Sequence, residues 1–218
     1  MGPVHRVFLI DDHPVVRSGL ALLIESMPGF ALAGEAGSAA DARTALARTD
    51  ATLVILDLML GGRDGLELLG ELQSLCPGAR FLVYTMQPER LYARRALRAG
   101  AQGYLVKSAG LPAVRDALQA LVRGERYVSP AMAQILIEES LGGVRATVDD
   151  LSNRELQVLG LLAAGRELGE IASELHLSVK TVGTYRERLK NKLGVETARN
   201  LAREAAEVLG SRHDRTAG

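Results

Sequence analysis

Asp57 follows the run Leu53-Val54-Ile55-Leu56, and Asp11 and Asp12 follow Val7-Phe8-Leu9-Ile10. A carboxylate placed directly after a continuous apolar run stands where a buried parallel strand ends, and ligands of open α/β sheets gather at such carboxyl ends. Thr85 follows Phe81-Leu82-Val83-Tyr84 in the same way, and Lys107 follows Gly103-Tyr104-Leu105-Val106. If these runs are strands of one sheet, three carboxylates, a hydroxyl and an ammonium meet on one rim. Three crowded carboxylates are costly without a cation, and hard oxygen ligands with room for water suit Mg2+ better than a soft metal. An acyl phosphate on Asp57 would have its oxygens held by metal, Thr85 and Lys107, which is the positioning and charge neutralisation that phosphoryl transfer needs. Taken singly, each group has a plainer role: strand-end Asp and Thr cap helices, and Lys107 can be a solvated lysine. Their joint placement at the ends of four strands favours the phosphoryl site.

The elements that must position these groups follow from hydrophobic periodicity. Short apolar runs alternate five times with amphipathic stretches between Arg6 and Arg123, the pattern of βα units around a parallel sheet. Strands are expected at Val7 to Ile10, Ala31 to Gly34, Leu53 to Leu56, Phe81 to Tyr84 and Gly103 to Val106. Helices are expected at Val15 to Glu25, Ala39 to Arg48, Leu66 to Leu75, Arg90 to Ala99 and Pro112 to Val122. Right-handed crossovers place helices on both faces of a five-stranded doubly wound sheet, in the order 2-1-3-4-5. His13, just before the helix start at Pro14, reads as a loop residue rather than a metal or acid-base group.

A linker is expected over 126–149, with a helix from Pro130 to Leu141, then Gly142-Gly143 and a polar stretch ending in Asp149-Asp150. From Leu151 the pattern is purely helical. Ser152 with Glu155 forms a capping box, and Leu151 with Leu156 suits the staple around it. A second helix follows from Gly169 to Leu175, and a third begins at Ser178, capped by its hydroxyl and stapled by Leu177 with Val182. A fourth, Thr197 to Leu209, stops at Gly210, before a polar tail over 211–218. On the third helix Val179, Val182, Tyr185, Leu189 and Leu193 share one face, while Lys180, Thr184, Glu187, Arg188 and Asn191 lie opposite with Lys190 and Lys192 beside them. A basic, hydrogen-bonding face on a helix after a tight helix-helix turn suits the major groove of DNA, although many helices carry a solvated charged face. Gly183, in mid-helix, costs on the order of 1 kcal/mol relative to Ala, and close approach of a phosphate backbone would explain it.

Composition narrows the classes. With 26 basic and 26 acidic residues in a chain of 218, any nucleic-acid function must rest on a local patch. The single cysteine, Cys76, excludes an internal disulfide framework, suits a reducing compartment and reads as a small buried residue. No segment approaches the roughly 18 apolar residues of a membrane span, and Arg6 stands where a myristoylation signal beginning at Gly2 needs Ser or Thr. The expectation is a cytoplasmic protein without a membrane partner.

Residues 4 to 124 resemble the receiver domain of two-component response regulators. Asp11-Asp12 resembles that family's acidic pair, Asp57 its phosphoacceptor, Thr85 its switch hydroxyl, Tyr104 its switch aromatic and Lys107 its invariant lysine. The resemblance implies Mg2+ on Asp12, Asp57 and the backbone carbonyl of Met59, with Asp11 reaching it partly through water, and a sensor histidine kinase as phosphoryl donor. It also implies that phosphorylation draws Thr85 toward the phosphoryl group and Tyr104 inward. Leu60-Gly61-Gly62 departs from the family's usual Met-Pro-Gly, Ser108 replaces a common proline, and Met59 replaces a polar residue and is expected to slow autodephosphorylation.

Leu151 to Leu193 is similar to the LuxR-type helix-turn-helix of NarL/FixJ-type regulators. The similarity rests on Arg154-Glu155, Val158-Leu159, Gly165, Glu170-Ile171-Ala172, Leu175, Leu177-Ser178, Lys180-Thr181-Val182 and Lys192-Leu193. It implies a DNA-binding set of Ser178, Lys180, Thr181, Gly183, Thr184, Arg186, Glu187, Arg188 and Lys190. Lys180, Thr181, Arg186 and Lys190 are assigned to phosphates, and Gly183, Thr184, Glu187 and Arg188 to base edges. Glu187 fits there only by accepting from a cytosine amino group or by fixing Arg188. Because one short helix reads few base pairs, a homodimer on two half-sites is expected.

The domains read as a receiver over 1–125, the linker over 126–149, the helix-turn-helix domain over 150–210 and the tail over 211–218. The function expected is that of a phosphorylation-activated transcription regulator, which promotes its own phosphotransfer without being a dedicated enzyme. A haloacid-dehalogenase-type enzyme would need a second acid where Met59 stands. A small-molecule-sensing LuxR-type activator would not need the acidic trio or Lys107. A phosphorylation-independent regulator with a vestigial receiver remains the alternative.

Overall fold

The computed structural model describes residues 4–61, 63–140, 151–197, 200, 201 and 205. These residues form two compact units, one over 4–89 and 93–133, the other over 90–92 and from Gln134 onward.

In the first unit, strands β1 (His5–Ile10), β2 (Phe30–Ala36), β3 (Leu53–Leu56), β4 (Arg80–Thr85) and β5 (Gly103–Val106) form one parallel sheet ordered β2-β1-β3-β4-β5. Helices α1 (Pro14–Glu25), α2 (Ala39–Leu46), α3 (Gly65–Leu75), α4 (Glu89–Arg98) and α5 (Gly110–Arg123) connect and follow them. Successive strand residues alternate between the two faces. Val7, Leu9, Leu53, Ile55, Leu82 and Tyr84 pack in a cluster with Leu20, Leu23 and Ile24 of α1 and Val114, Leu118 and Leu121 of α5. The alternate residues Phe8, Ile10, Val54, Leu56, Phe81 and Val83 are buried as well, so both faces are covered and the strands read as continuous apolar runs.

Element boundaries differ from the sequence expectation where the sheet itself decides them. β2 extends beyond Ala31 to Gly34 at both ends because it pairs along all of β1, with a register shift between Val7 and Phe8. α2 stops at Leu46, two residues short of Arg48, and α5 begins at Gly110 after a 3-10 turn over Lys107–Ala109. A parallel bridge joins Tyr127 to Gly103 beside the edge strand, with the Tyr127 carbonyl accepting from the Tyr104 amide at 2.8 Å. Cys76 is half-buried rather than buried, its sulfur 3.6 Å from the Leu46 carbonyl, and burial pushes its thiol pKa up.

α6 spans Pro130–Ser140, with Ser129 accepting the Met132 amide at 3.1 Å; the expected Leu141, Gly142-Gly143 and Asp149-Asp150 lie outside the described residues. The second unit holds α7 (Asn153–Ala163), α8 (Leu168–Glu174) and α9 (Val179–Leu193). The Ser152/Glu155 capping box is present, and Leu151 and Leu156 are both buried. Ser178 caps α9 through the Thr181 amide at 3.0 Å, and His176 takes a positive φ of 53° in the turn before it. Of the expected fourth helix, Asn200, Leu201 and Ala205 are helical, and Leu201 and Ala205 are buried. Its remaining residues, Gly210 and the tail lie outside the described set.

Candidate functional site

The carboxyl ends of β1 and β3 are hydrogen-bonded neighbours, so Asp11 and Asp57 emerge side by side. Both are 2% exposed. Lys107, directly after β5, places Nζ 2.6 Å from Asp57 Oδ2 and 2.7 Å from Asp11 Oδ2. One ammonium thus bridges two buried carboxylates, a charge-assisted arrangement that offsets part of the cost of burying all three. The backbone carbonyl of Lys107 accepts from the Tyr84 hydroxyl at 3.4 Å. Burial pushes the Asp57 pKa above the usual carboxylate range, although Lys107, the Thr85 hydroxyl and the Met59 amide pull it down. Burial opposes the charge on Lys107, yet Asp57 and Asp11 hold its pKa above the ordinary lysine value.

Asp57 Oδ1 accepts from the Met59 amide at 3.0 Å, and Asp12 Oδ2 accepts from the Gly61 amide at 3.4 Å. The Met59 and Gly61 amides thus tie this segment to one carboxylate from each of two neighbouring strand ends. Met59–Leu60 pairs with Arg63–Asp64 in a short antiparallel ladder, Gly61 adopts φ +56°, and a Cβ at Gly65 would collide with the Leu58 backbone. Only glycine meets that close approach without strain.

His13 is more than a loop residue. Its Nδ1 lies 2.7 Å from Asp12 Oδ1 and 3.2 Å from Asp11 Oδ1, while its amide donates to Asp11 Oδ1 at 2.9 Å. Ligand atoms of Asp11, Asp12, His13 and Asp57 all fall within 4.8 Å of one another. Hard carboxylate oxygens gathered so closely fit a small divalent cation such as Mg2+.

Thr85, fully buried, accepts from the Gln87 amide at 3.4 Å, and its hydroxyl helps to hold the Asp57 pKa down. Tyr104 is also fully buried, and its hydroxyl donates to the Gln87 carbonyl at 2.9 Å. Both side chains are thus buried and share Gln87 as a hydrogen-bonding neighbour.

Sequence reasoning passed over Arg17. Its Nη1 donates to the backbone carbonyl of Asp11 at 2.7 Å, with the side chain only 16% exposed. The available signal was its spacing on α1, on the same stripe as the buried Leu20 and Ile24.

On α9, Lys180, Thr184, Glu187, Arg188 and Asn191 are exposed, as the helical wheel requires, and Val182 and Leu189 are buried. Val179 departs from that wheel. It is 53% exposed because it lies in the first turn, ahead of the packed stretch. Glu187 does not fix Arg188: its carboxylate meets Lys190 at 2.9 Å and Arg186 at 3.5 Å, and Lys190 first among them holds its pKa down. Arg188 instead lies over the Tyr185 ring, 5.9 Å from its centroid. The Thr184 hydroxyl bonds back to the Lys180 carbonyl at 3.1 Å, and the Ser178 and Thr181 hydroxyls meet at 2.7 Å. A Cβ at Gly183 would meet nothing within 4 Å, so no packing among the described residues demands glycine there. Beneath this helix the 3% exposed Glu155 takes both the Ser152 amide and Lys192 Nζ at 2.7 Å, tying the start of α7 to the end of α9.

Residues 7–119 match the family described as response regulator receiver domain, and residues 149–205 match bacterial regulatory proteins of the luxR family. The virulence-factor transcription regulator BvgA of Bordetella pertussis is 39% identical over 190 residues, 87% of this chain and 90% of BvgA. RcsB of Salmonella enterica serovar Typhimurium, solved on the promoter rprA with the phosphomimetic BeF3−, is 27% identical with a TM-score of 0.65, covering 93% of this chain and 98% of RcsB. A structure of two RcsB dimers on two parallel DNAs is 26% identical with a TM-score of 0.59, covering 94% of this chain and 99% of that one. The chain belongs to the NarL/FixJ-type two-component response regulators, transcription factors rather than dedicated enzymes, with an acidic receiver pocket and a LuxR-type helix-turn-helix that binds DNA.

Proposed function

We propose that Asp57 accepts a phosphoryl group from the histidine of a sensor histidine kinase, and that this modification raises the affinity of a homodimer for promoter half-sites. The observation that carries the reading is the Lys107 ammonium set between Asp57 and Asp11, beside the Thr85 hydroxyl. Asp57 is the attacking carboxylate, Lys107 and Thr85 receive the phosphoryl oxygens, and Tyr104 follows Thr85 through their shared neighbour Gln87. Asp11, Asp12, Asp57 and the Met59 carbonyl would hold Mg2+, which when bound supplies charge neutralisation for the transferring group. Met59 beside the acceptor slows attack by water.

On DNA, Lys180, Thr181, Arg186 and Lys190 face phosphates, Gly183, Thr184, Glu187 and Arg188 face base edges in the major groove, and Ser178 belongs to the same DNA-binding set. RcsB supports the dimer, its dimers having been solved on DNA. The domain limits proposed are a receiver over 1–125, a linker with α6 over 126–149, the DNA-binding domain over 150–210 and a tail over 211–218. Among the described residues no helix is long and apolar enough to cross a membrane, and the proposed site of action is the cytoplasm. Treating the chain with a small phosphodonor and Mg2+ tests the reading: Asp57→Ala must abolish both the mass increase and the gain in DNA affinity. Equal affinity of treated and untreated wild type would make the receiver vestigial and refute it.

A further inference from the structure

Arg17 brings a charge onto the face of α1 that otherwise packs into the sheet with Leu20 and Ile24. Burying a guanidinium is costly unless its donors are used, and an apolar residue would fill this stripe without that cost. Here one donor is committed at 2.7 Å to the backbone carbonyl of Asp11, just past the end of β1. Nε lies 3.7 Å from Glu35 Oε1 and makes no hydrogen bond, so the carbonyl is the better-formed contact. Space for the guanidinium comes from Gly37, where a Cβ would stand 3.2 Å from Nη1.

That carbonyl opens the peptide between Asp11 and Asp12. On one side the Asp11 carboxylate meets Lys107 at 2.7 Å; on the other Asp12 meets the Gly61 amide at 3.4 Å. The Asp11 amide is tied to the Ala36 carbonyl at 3.2 Å, the last backbone bond of β1 toward β2. Beyond it Arg17 takes the place of a strand neighbour, so two carboxylates that must converge are carried by a peptide clamped from beneath.

We propose that Arg17 is a positioning residue for the divalent cation of the phosphoryl-transfer site, acting through the Asp11–Asp12 backbone. The proposal rests on the reading that Asp11, Asp12 and Asp57 hold that cation. Partners that orient ligands from outside the coordination shell are typically worth about 10–100-fold in metal affinity.

The test uses the full chain without phosphodonor: Mn2+ binding followed by electron paramagnetic resonance, with Mg2+ as competitor. Arg17→Met should weaken both ions by about tenfold and raise by the same factor the half-saturating Mg2+ for modification by a small phosphodonor. The rate at saturating Mg2+ should change far less, because Asp57, Thr85 and Lys107 are untouched. Arg17→Lys should recover part of the affinity, and Gly37→Ala, which crowds the guanidinium without removing it, should weaken binding less than Arg17→Met. Wild-type ion affinity in an Arg17→Met chain with native circular dichroism overturns the proposal. Should Arg17→Met fail to fold, Gly37→Ala decides, unchanged affinity again overturning it. A wild-type chain that binds neither ion overturns the cation site itself, a separate failure.

Discussion

Replacing Lys107 by Met leaves two buried carboxylates facing each other without their cation. The ammonium stands 2.6 Å from Asp57 and 2.7 Å from Asp11, with 9% of its side chain exposed. At an effective dielectric constant of about 20, unit charges at such distances attract by about 6 kcal/mol each, before desolvation of the ammonium is set against them. Removing one partner of a buried pair typically costs about 3–5 kcal/mol, since the other charge stays buried and unpaired. Lys107→Met should therefore cost about 3 kcal/mol or more. In an Asp57→Asn background only Asp11 is orphaned, and the same substitution should cost roughly half as much, a coupling of about 1.5–2 kcal/mol. The chain contains no tryptophan, so urea unfolding is followed by far-ultraviolet circular dichroism in EDTA, taking the receiver transition by itself. Added Mg2+ should restore stability to the Lys107→Met chain by binding its native state. Costs of Lys107→Met that agree within about 0.5 kcal/mol in the two backgrounds would refute the bridging role.

Asp57→Asn should itself stabilise the receiver, by about 0.5–2 kcal/mol, as is common when a functional strain is relieved. Burial raises the Asp57 pKa in the folded state, so the native chain binds that proton more tightly and its stability falls as pH rises from the unfolded value through the folded one. The advantage of Asn should thus be larger at pH 7 than at pH 4 in thermal melts, and a constant advantage would contradict the linkage. Glu155 has the opposite sign: although burial opposes its charge, Lys192 and Ser152 hold its pKa down, so its contribution is present at neutral pH and lost as pH falls through the lowered value. Glu155→Gln should keep the cap and lose the tie to Lys192, whereas Glu155→Ala should lose both and cost about 1 kcal/mol more; equal losses in urea titrations would show that the cap contributes nothing. Gly183→Ala should raise the melting temperature, gaining about 1 kcal/mol of helix propensity in open space, while weakening DNA binding; a variant that binds as tightly as wild type would remove Gly183 from the interface. Lys180→Ala should weaken all DNA sequences alike and lower the salt slope by about 1, and Glu187→Ala should change the sequences selected from randomised duplexes rather than the overall affinity.

What the chain discloses as text is mostly what repeats along it. The five apolar runs specify a parallel sheet because strands buried on both faces must be apolar throughout, and each run's terminal residue names its own place on the rim. Asp57, Asp11, Asp12, Thr85 and Lys107 were legible for that reason, as was the Ser152/Glu155 capping box, whose partners are three residues apart. Side-chain partners across the fold obey no such period. That Lys107 joins Asp57 to Asp11, that Glu187 turns to Lys190 and Arg186 rather than to Arg188, and that Lys192 reaches Glu155 depend on how distant segments come together. Arg17 shows the difference most plainly. Its position on the buried stripe of α1 could be counted along the chain, but its bond to the Asp11 carbonyl exists only because α1 returns across β1 and Gly37 leaves the space. Local periodicity determined the elements and the chemical groups at their ends; packing between elements decided which of those groups share a charge.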